Sequence, residues 1–175
     1  AAALKEFIET HYKQVKEVII CETLEEAVRG SDIISESVSV KPGQYPTYKK
    51  EWLKPGVTLI ATSFFNMDKK ELVGIRKVVD NWKMYEEYGI EDEEGYDENG
   101  MRKATGCMGE EFYYMVEDGL ITRDSIDHLG EIIRGKKPGR KSDDEIIFVA
   151  IEGMPIEDVA WGSEIYRNAV DHGIG

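Results

Sequence analysis

The stretch that decides the fold is Val57–Asp68, "VTLIATSFFNMD". It opens as an apolar run with no polar alternation and breaks into Thr62 and Ser63. Phe64, Phe65 and Asn66 follow before charge takes over. A strand without a polar side must be covered on both faces, which is the condition of a strand inside a parallel sheet flanked by helices. In open sheets of that kind, ligands bind in the crevice beyond the carboxyl ends of the strands. The reading therefore puts Thr62, Ser63, Phe64 and Phe65 at a ligand edge, and two phenylalanines there need a reason.

Working outward, the same grammar recurs. "EVIIC" (Glu17–Cys21) reads as a short buried strand. In "TLEEAVRGSD", Thr23 and Glu26 form a capping box, Leu24, Ala27 and Val28 form an apolar stripe, and Gly30 stops the helix. "DIISESVSV" (Asp32–Val40) is the next strand, and its small polar far end brings Val38 to the same crevice. "KPGQYPTYKKEWLKPG" holds two Lys-Pro-Gly turns around a short helix anchored by Trp52 and Leu53. "KKELVGIRKVVDN" gives a short helix and a strand around Lys77–Asp80, and "DEIIFVAIEG" (Asp144–Gly153) is the longest apolar strand. Strands and helices in alternation define an α/β class with a mostly parallel sheet.

Flanking helices follow from periodicity. Leu4, Phe7, Ile8 and Tyr12 make an amphipathic helix ending near His11–Gln14. Phe112, Met115 and Val116 point inward from "EEFYYMVEDGLI". Thr122 caps a helix that carries Ile126, Leu129 and Ile133 on one face and ends at Gly135. Pro155 opens a last helix whose buried stripe is Ile156, Val159, Ala160, Ser163 and Tyr166, ended by Gly173. The alternation breaks between Glu86 and Gly100, where eight acidic residues accompany Tyr88 and Tyr96. That segment reads as a solvated surface insertion, because Asp92, Glu94, Tyr96 and Glu98 lack the pattern and central glycine of a calcium loop.

Bulk properties exclude several functions. A net charge of −13, with Arg134–Lys141 the one dense basic stretch, opposes a nucleic-acid partner. Cys21 and Cys107 lie far apart without a CxxC pair, so neither a metal site nor a disulfide framework is indicated, and a reducing, cytoplasmic setting is expected. No apolar run approaches the ~20 residues of a membrane helix. His11, His128 and His172 stand beside no nucleophile motif, and no GxSxG, HExxH, P-loop or GxGxxG occurs.

Three segments carry a family resemblance: "TLEEAVRGSDII", "EWLKPGVTLIATS" and the long "LGEIIRGKKPGRKSDDEIIFVAIEGMPIEDVAWGSEIYRNAVDHGIG". Together they resemble the ornithine cyclodeaminase/mu-crystallin family. "KVVDNWKMYEEY" and "EDVAWGSEIYRNA" are similar to a branch of it whose members take their name from tyramine oxidase. The resemblance implies a Rossmann-like sheet binding NAD or NADP, paired with a substrate domain that makes a homodimer, and oxidation or deamination of a small amino acid or amine through an imine. It further implies that residues 1–153 are a partial Rossmann domain with the acidic insertion at about 86–100. Residues 154–175 would then be a helix leading back toward the dimerisation domain. On that template the sheet is incomplete, since its first two strands and most of the substrate domain lie outside this sequence. The strands at Glu17–Cys21 and Asp32–Val40 should then not pair with each other, leaving interior edges open.

The resemblance also assigns residues. Val38, Thr62, Ser63, Phe64, Phe65, Lys69 and Ile151 fall at cofactor-contacting positions, and Phe65 and Glu152 at substrate-facing ones. Phe65 stands where the family has a carboxylate or amide that handles protons, work a phenyl ring cannot do. Glu152 is the candidate replacement on the opposite wall; its alternative role is capping the turn before Met154. Phe64 and Phe65 either stack on a ligand or plug the core. The function expected is an NAD(P)-dependent oxidoreductase or deaminase; the alternative is a non-catalytic cofactor- or small-ligand-binding protein of the mu-crystallin type.

Overall fold

Five short parallel strands carry the structure, a computed structural model that describes residues 1–39, 41, 44–91 and 107–174. In chain order they are β1 (Ile33–Glu36), β2 (Thr58–Ala61), β3 (Arg76–Val79), β4 (Ile126–His128) and β5 (Ile147–Ala150). Across the sheet the order is β1-β2-β5-β3-β4, and every pairing is parallel. The last strand in sequence thus lies between β2 and β3, not in the sequential order of the doubly wound template. Its composition explains the position: all four residues of "IFVA" are buried, so it needs neighbours on both edges and cover on both faces.

The helices are α1 (Ala2–His11), α2 (Leu24–Val28), α3 (Lys69–Val73), α4 (Trp82–Glu91), α5 (Met108–Glu117), α6 (Leu129–Ile133) and α7 (Pro155–Asp171). The Thr23 half of the capping box at α2 forms, its hydroxyl accepting from the Glu26 amide at 3.1 Å, while the Glu26 carboxylate accepts the Glu22 amide at 2.9 Å instead of that of Thr23; Gly30 follows the helix at φ +81°. The main core lies on the sheet face that presents Leu59, Ala61, Val79, Phe148 and Ala150, under Leu72 of α3, Trp82 and Tyr85 of α4, and Met108, Phe112 and Met115 of α5. The opposite face, with Val78, Ile147 and Val149, is thinner and is packed by Leu129 and Ile132 of α6. Helices α4 and α5 approach closely because Gly89 and Gly109 lack a Cβ; one added at either would sit 2.1 Å from the ring of Tyr113 or Tyr85.

Several expectations are corrected. Glu17–Cys21 belongs to no ladder, and Ile19 and Ile20 are 68% and 47% exposed. An apolar run becomes a strand only beside an edge that can take its hydrogen bonds, and this run and β1 do not pair, as the template required. The strand expected over Asp32–Val40 stops at Glu36, because the Glu36 carboxylate accepts the Val38 amide at 2.9 Å and turns the backbone out of the ladder. The single helix expected after Thr122 is instead a 3-10 turn (Arg123–Ser125), β4 and α6. Helical spacing misled there: Ile126 faces the main core, Leu129 the cluster on the other face, and Ile133 is 76% exposed. Residues 86–91 continue α4 rather than opening an insertion, and the remainder of that acidic segment lies outside the described residues. Helix α7 forms where expected and ends at Gly173 with φ +65°, but its apolar stripe is not buried: Ile156, Val159 and Tyr166 are 68%, 66% and 71% exposed.

One buried cation stands out on β3, one strand in from the β4 edge of the sheet. Lys77 of β3 is buried, its Nζ donating to the carbonyls of Leu72 at 2.6 Å and Ile75 at 2.8 Å, with the Phe112 ring nearby. Burial lowers its pKa to about 8. The unfolded chain, with its lysine near the ordinary value, then binds more protons than the folded chain above about pH 8. Stability lost to charging this group at neutral pH is therefore regained as pH rises from about 8 toward the unfolded value. Urea midpoints should show the wild type gaining about 2 kcal/mol on Lys77→Met between about pH 7.5 and about pH 9.5. A difference that stays flat across that range rules out the buried ammonium.

Candidate functional site at the carboxyl edge

The register places the last residues of four strands in one row: Glu36 beside Ala61, Ala61 beside Ala150, and Ala150 beside Val79. The chains leaving that row are Ser37–Val38, Thr62–Ser63, Ile151–Glu152 and Asp80–Asn81. Ladder-like bonds hold them level, with the Thr62 amide on Glu36 O at 3.0 Å, Ile151 on Ala61 O at 2.9 Å, and Asp80 on Ala150 O at 3.3 Å. The predicted residues Val38, Thr62, Ser63, Ile151 and Glu152 are thus brought to one edge.

Two buried or half-buried carboxylates fasten this edge. Glu36 is 1% exposed; one oxygen accepts the Val38 amide and the other the Ser63 hydroxyl at 2.6 Å, so it latches the loop after β1 to the loop after β2. The Thr62 hydroxyl adds a bond to Glu36 O at 3.2 Å. On the other side, Asp80 Oδ2 accepts the amides of Glu152 at 2.9 Å and Gly153 at 3.1 Å, while its Oδ1 accepts Tyr85 Oη and the Asn81 amide, each at 2.7 Å. Sequence reasoning missed both acids. The available signal is an acid that ends an apolar strand, as in "IISE" and "KVVD".

Glu152 keeps an exposed surface, and its carboxylate accepts a hydrogen bond from the thiol of Cys107, a residue only 2% exposed at the start of α5. Burial of the carboxyl raises its pKa to about 7; the Cys107 bond works against that rise, and the negative charges of Glu110 and Asp80 add to it. Burial pushes the Cys107 and Tyr85 protons to higher pKa as well. The result is a carboxyl able to carry a proton near neutral pH at the rim of the sheet.

Phe64 and Phe65 are not at that rim. Phe65 is fully buried, stacked on Phe148 at 5.2 Å and packed on Tyr48 at 4.5 Å. Phe64 is 9% exposed against Tyr45. The chain around Pro46–Tyr48 folds over them as a cover: the Asn66 amide donates to Pro46 O and the Tyr48 amide to Asn66 O, both at 2.8 Å. Of the two fates open to these rings, the core plug is the one they take, packed on Tyr45, Tyr48 and Phe148 under that cover rather than presented at the rim. Lys69 lies away from the row, partly exposed on α3. Its ammonium pairs with Glu111 at 3.0 Å and Asp118 at 3.9 Å and tethers α3 to α5.

A groove of about 700 Å³ lies at the opposite, amino-terminal end of the sheet, walled by Lys50, Arg76, Asp127, Lys137, Lys141 and Glu145. Arg76 and Lys137 are engaged there by Asp127 and Glu145, and Lys50 and Lys141 complete its basic wall. At the carboxyl edge a hollow of about 390 Å³ lies between Asn81, Met84, Tyr88, Met154 and Ile156.

A parallel sheet with a row of polar loops at its carboxyl edge defines an open α/β protein whose ligand crevice lies at that edge. The chain belongs to the ornithine cyclodeaminase/mu-crystallin family, whose model matches residues 1–173. It is 32% identical over 143 residues to an alanine dehydrogenase of Archaeoglobus fulgidus, covering 79% of this chain and 38% of that protein. It is 29% identical over 156 residues to a Delta(1)-pyrroline-2-carboxylate reductase of Bacillus thuringiensis subsp. konkukian, covering 86% of this chain and 41% of the relative. Among solved structures, an archaeal alanine dehydrogenase dimer with bound NAD superposes with a TM-score of 0.68 at 25% identity, over 99% of this chain and 48% of that one. The chain therefore spans less than half the length of these relatives. Among the described residues, no helix is long and apolar enough to cross a membrane, and no group of His, Cys, Asp and Glu could hold a metal ion.

Proposed function

We propose that this chain forms the nicotinamide side of the cofactor domain of an NAD- or NADP-dependent enzyme that interconverts a small amino acid or amine and its imine. The observation that carries the reading is the row at the carboxyl edge, where exposed Thr62 and half-exposed Val38 and Ile151 flank a carboxyl poised near neutrality. Those residues suit a nicotinamide nucleotide: apolar Val38 and Ile151 for the flat ring, and the Thr62 and Ser63 loop for its polar edge. When bound, the nicotinamide supplies a hydride acceptor or donor. Glu152 takes the proton released from the substrate nitrogen as the amine becomes an imine, and returns it in the reverse direction. The relatives' names, an alanine dehydrogenase and a reductase of the cyclic imine Delta(1)-pyrroline-2-carboxylate, support the reaction class.

In this reading residues 1–153 are one segment of the cofactor domain and α7 leads out to a second domain through which a cytoplasmic homodimer forms. Reduced-cofactor fluorescence of the whole protein, followed by absorbance assays with a panel of amines and amino acids, tests it. Glu152→Gln is expected to lower kcat by about 10²–10⁴-fold and to abolish the pH limb near 7 in kcat/KM. An unchanged limb in that variant removes Glu152 from the reaction. One observation favours a second reading, a non-catalytic protein that binds a cofactor or small ligand: Phe65 is sealed in the core where the family pattern has a proton-handling group. Cofactor binding without turnover of any amine would select that reading.

A further inference from the structure

We propose that Asp80, locked by Tyr85, is a positioning residue that fixes the backbone and the charge state of Glu152. The inference rests on the role given to Glu152 above. One carboxylate makes four hydrogen bonds across three parts of the fold. Oδ2 receives the Glu152 and Gly153 amides from the end of the central strand β5, and Oδ1 receives the Asn81 amide beside it and the Tyr85 hydroxyl from α4.

Tyr85 cannot swing away. It is fully buried, and its ring fills the space that Gly109 of α5 leaves by lacking a Cβ. The turn that carries Glu152, with Gly153 at φ +82°, is thereby pinned to the neighbouring strand β3 rather than left to its own loop. Substitution of a charge that holds a backbone turn acts on both position and proton affinity, whereas a purely structural peg acts on position alone.

The groups that act on the Glu152 carboxyl are Cys107 at the start of α5, Glu110 within α5 and Asp80 at the end of β3; Tyr85 of α4 stands behind Asp80, and the Glu157 carboxylate of α7 lies beside Gly153. Asp80 and Glu110 are negative and disfavour the carboxylate form of Glu152, and the Cys107 thiol favours it. Removing the Asp80 charge while keeping its shape should therefore move the Glu152 titration to lower pH.

The test follows the Glu152 carboxyl by carbon-13 NMR of chain labelled at glutamate, assigned with Glu152→Gln, and the exchange of the Glu152 and Gly153 amides. In Asp80→Asn the midpoint is expected lower by about 0.3 pH unit, about twofold in proton affinity, because the Asp80 charge is the smaller of the two that raise it, with exchange at both amides faster. Tyr85→Phe removes one hydroxyl and leaves the charge; it should speed exchange at the same two amides without lowering the midpoint. A folded Asp80→Asn chain with an unchanged Glu152 midpoint overturns the proposal. Should that variant fail to fold, unchanged amide protection in Tyr85→Phe overturns it instead. Neither readout needs cofactor or turnover, so a protein that shows both shifts yet binds no NADH would sink the dehydrogenase reading and leave the positioning role standing.

Discussion

Arg76→Met is expected to destabilise the folded chain by about 3–5 kcal/mol, the loss seen when one member of a buried ion pair is removed and the other is stranded. The Arg76 side chain is 7% exposed and its guanidinium is fully used. Nε and one terminal nitrogen reach Asp127 Oδ2 at 3.0 and 2.8 Å, the other terminal nitrogen reaches Glu145 at 3.2 Å, and the carbonyls of Pro138 and Gly139 take the rest. Those contacts tie β3 to β4 and to the basic turn that feeds β5, so one side chain closes the amino-terminal end of three adjacent strands.

The pH dependence has a definite sign. Burial alone would raise the Asp127 carboxyl, but hydrogen bonds from Lys137 and Arg76, followed by their charges, outweigh it and hold the pKa below the usual range. A carboxyl with a depressed folded pKa contributes stability above its unfolded value, and that contribution is lost as pH falls through the folded one. Arg76→Met forfeits that contribution, so its cost should be largest near neutral pH and shrink as pH falls through the carboxylate range. Lys137→Met is the control: its ammonium contacts the same acid from a more exposed position and should cost far less. Urea melts of the two variants at neutral pH decide it, and equal midpoints would mean that Arg76 is not the keystone described.

Neither Arg76 nor Asp127 could be read from the sequence, and the reason generalises to the rest of the molecule. What is legible is local: apolar runs at "TLIA", "KVV" and "IFVA" become β2, β3 and β5, and Thr23, Gly30, Pro155 and Gly173 punctuate helices where their chemistry dictates. What is not legible depends on partners far along the chain. Ile126–His128 has helical neighbours by spacing, yet β3 supplies an edge, and the Lys77–Ile126 register turns the segment into a strand. Glu17–Cys21 has strand composition and no edge to join. The apolar stripe of α7 is plain as a stripe, but periodicity marks a face without saying what covers it. At the carboxyl edge, the family resemblance points to Thr62, Ser63 and Glu152, whereas Glu36 and Asp80 emerge only when four strand ends are seen side by side.

Phe65 shows the same division at a single residue, and it yields the second large effect. Position alone offers two fates, a ligand face or a core plug, and the Phe148 ring opposite decides between them. Phe65→Ala is expected to cost about 3–5 kcal/mol, the range for deleting a buried phenyl ring. Phe65→Asp, which restores the residue class expected from the family resemblance, should do worse. It loses the same packing and leaves a carboxylate among Tyr48, Phe148 and Leu59, where an unpaired charge adds several kcal/mol. A marginally stable domain does not survive both losses, so no soluble folded protein is expected. Phe65→Leu keeps an apolar side chain in place and should melt only modestly below wild type. These outcomes bear directly on function: if the aspartate cannot be tolerated, proton handling cannot be returned to that wall by one substitution, and Glu152 on the neighbouring strand is left to provide it. Recovery of a folded Phe65→Asp variant with near-native thermal stability would show instead that the ring can leave the core, and the division of labour between the two walls would have to be redrawn.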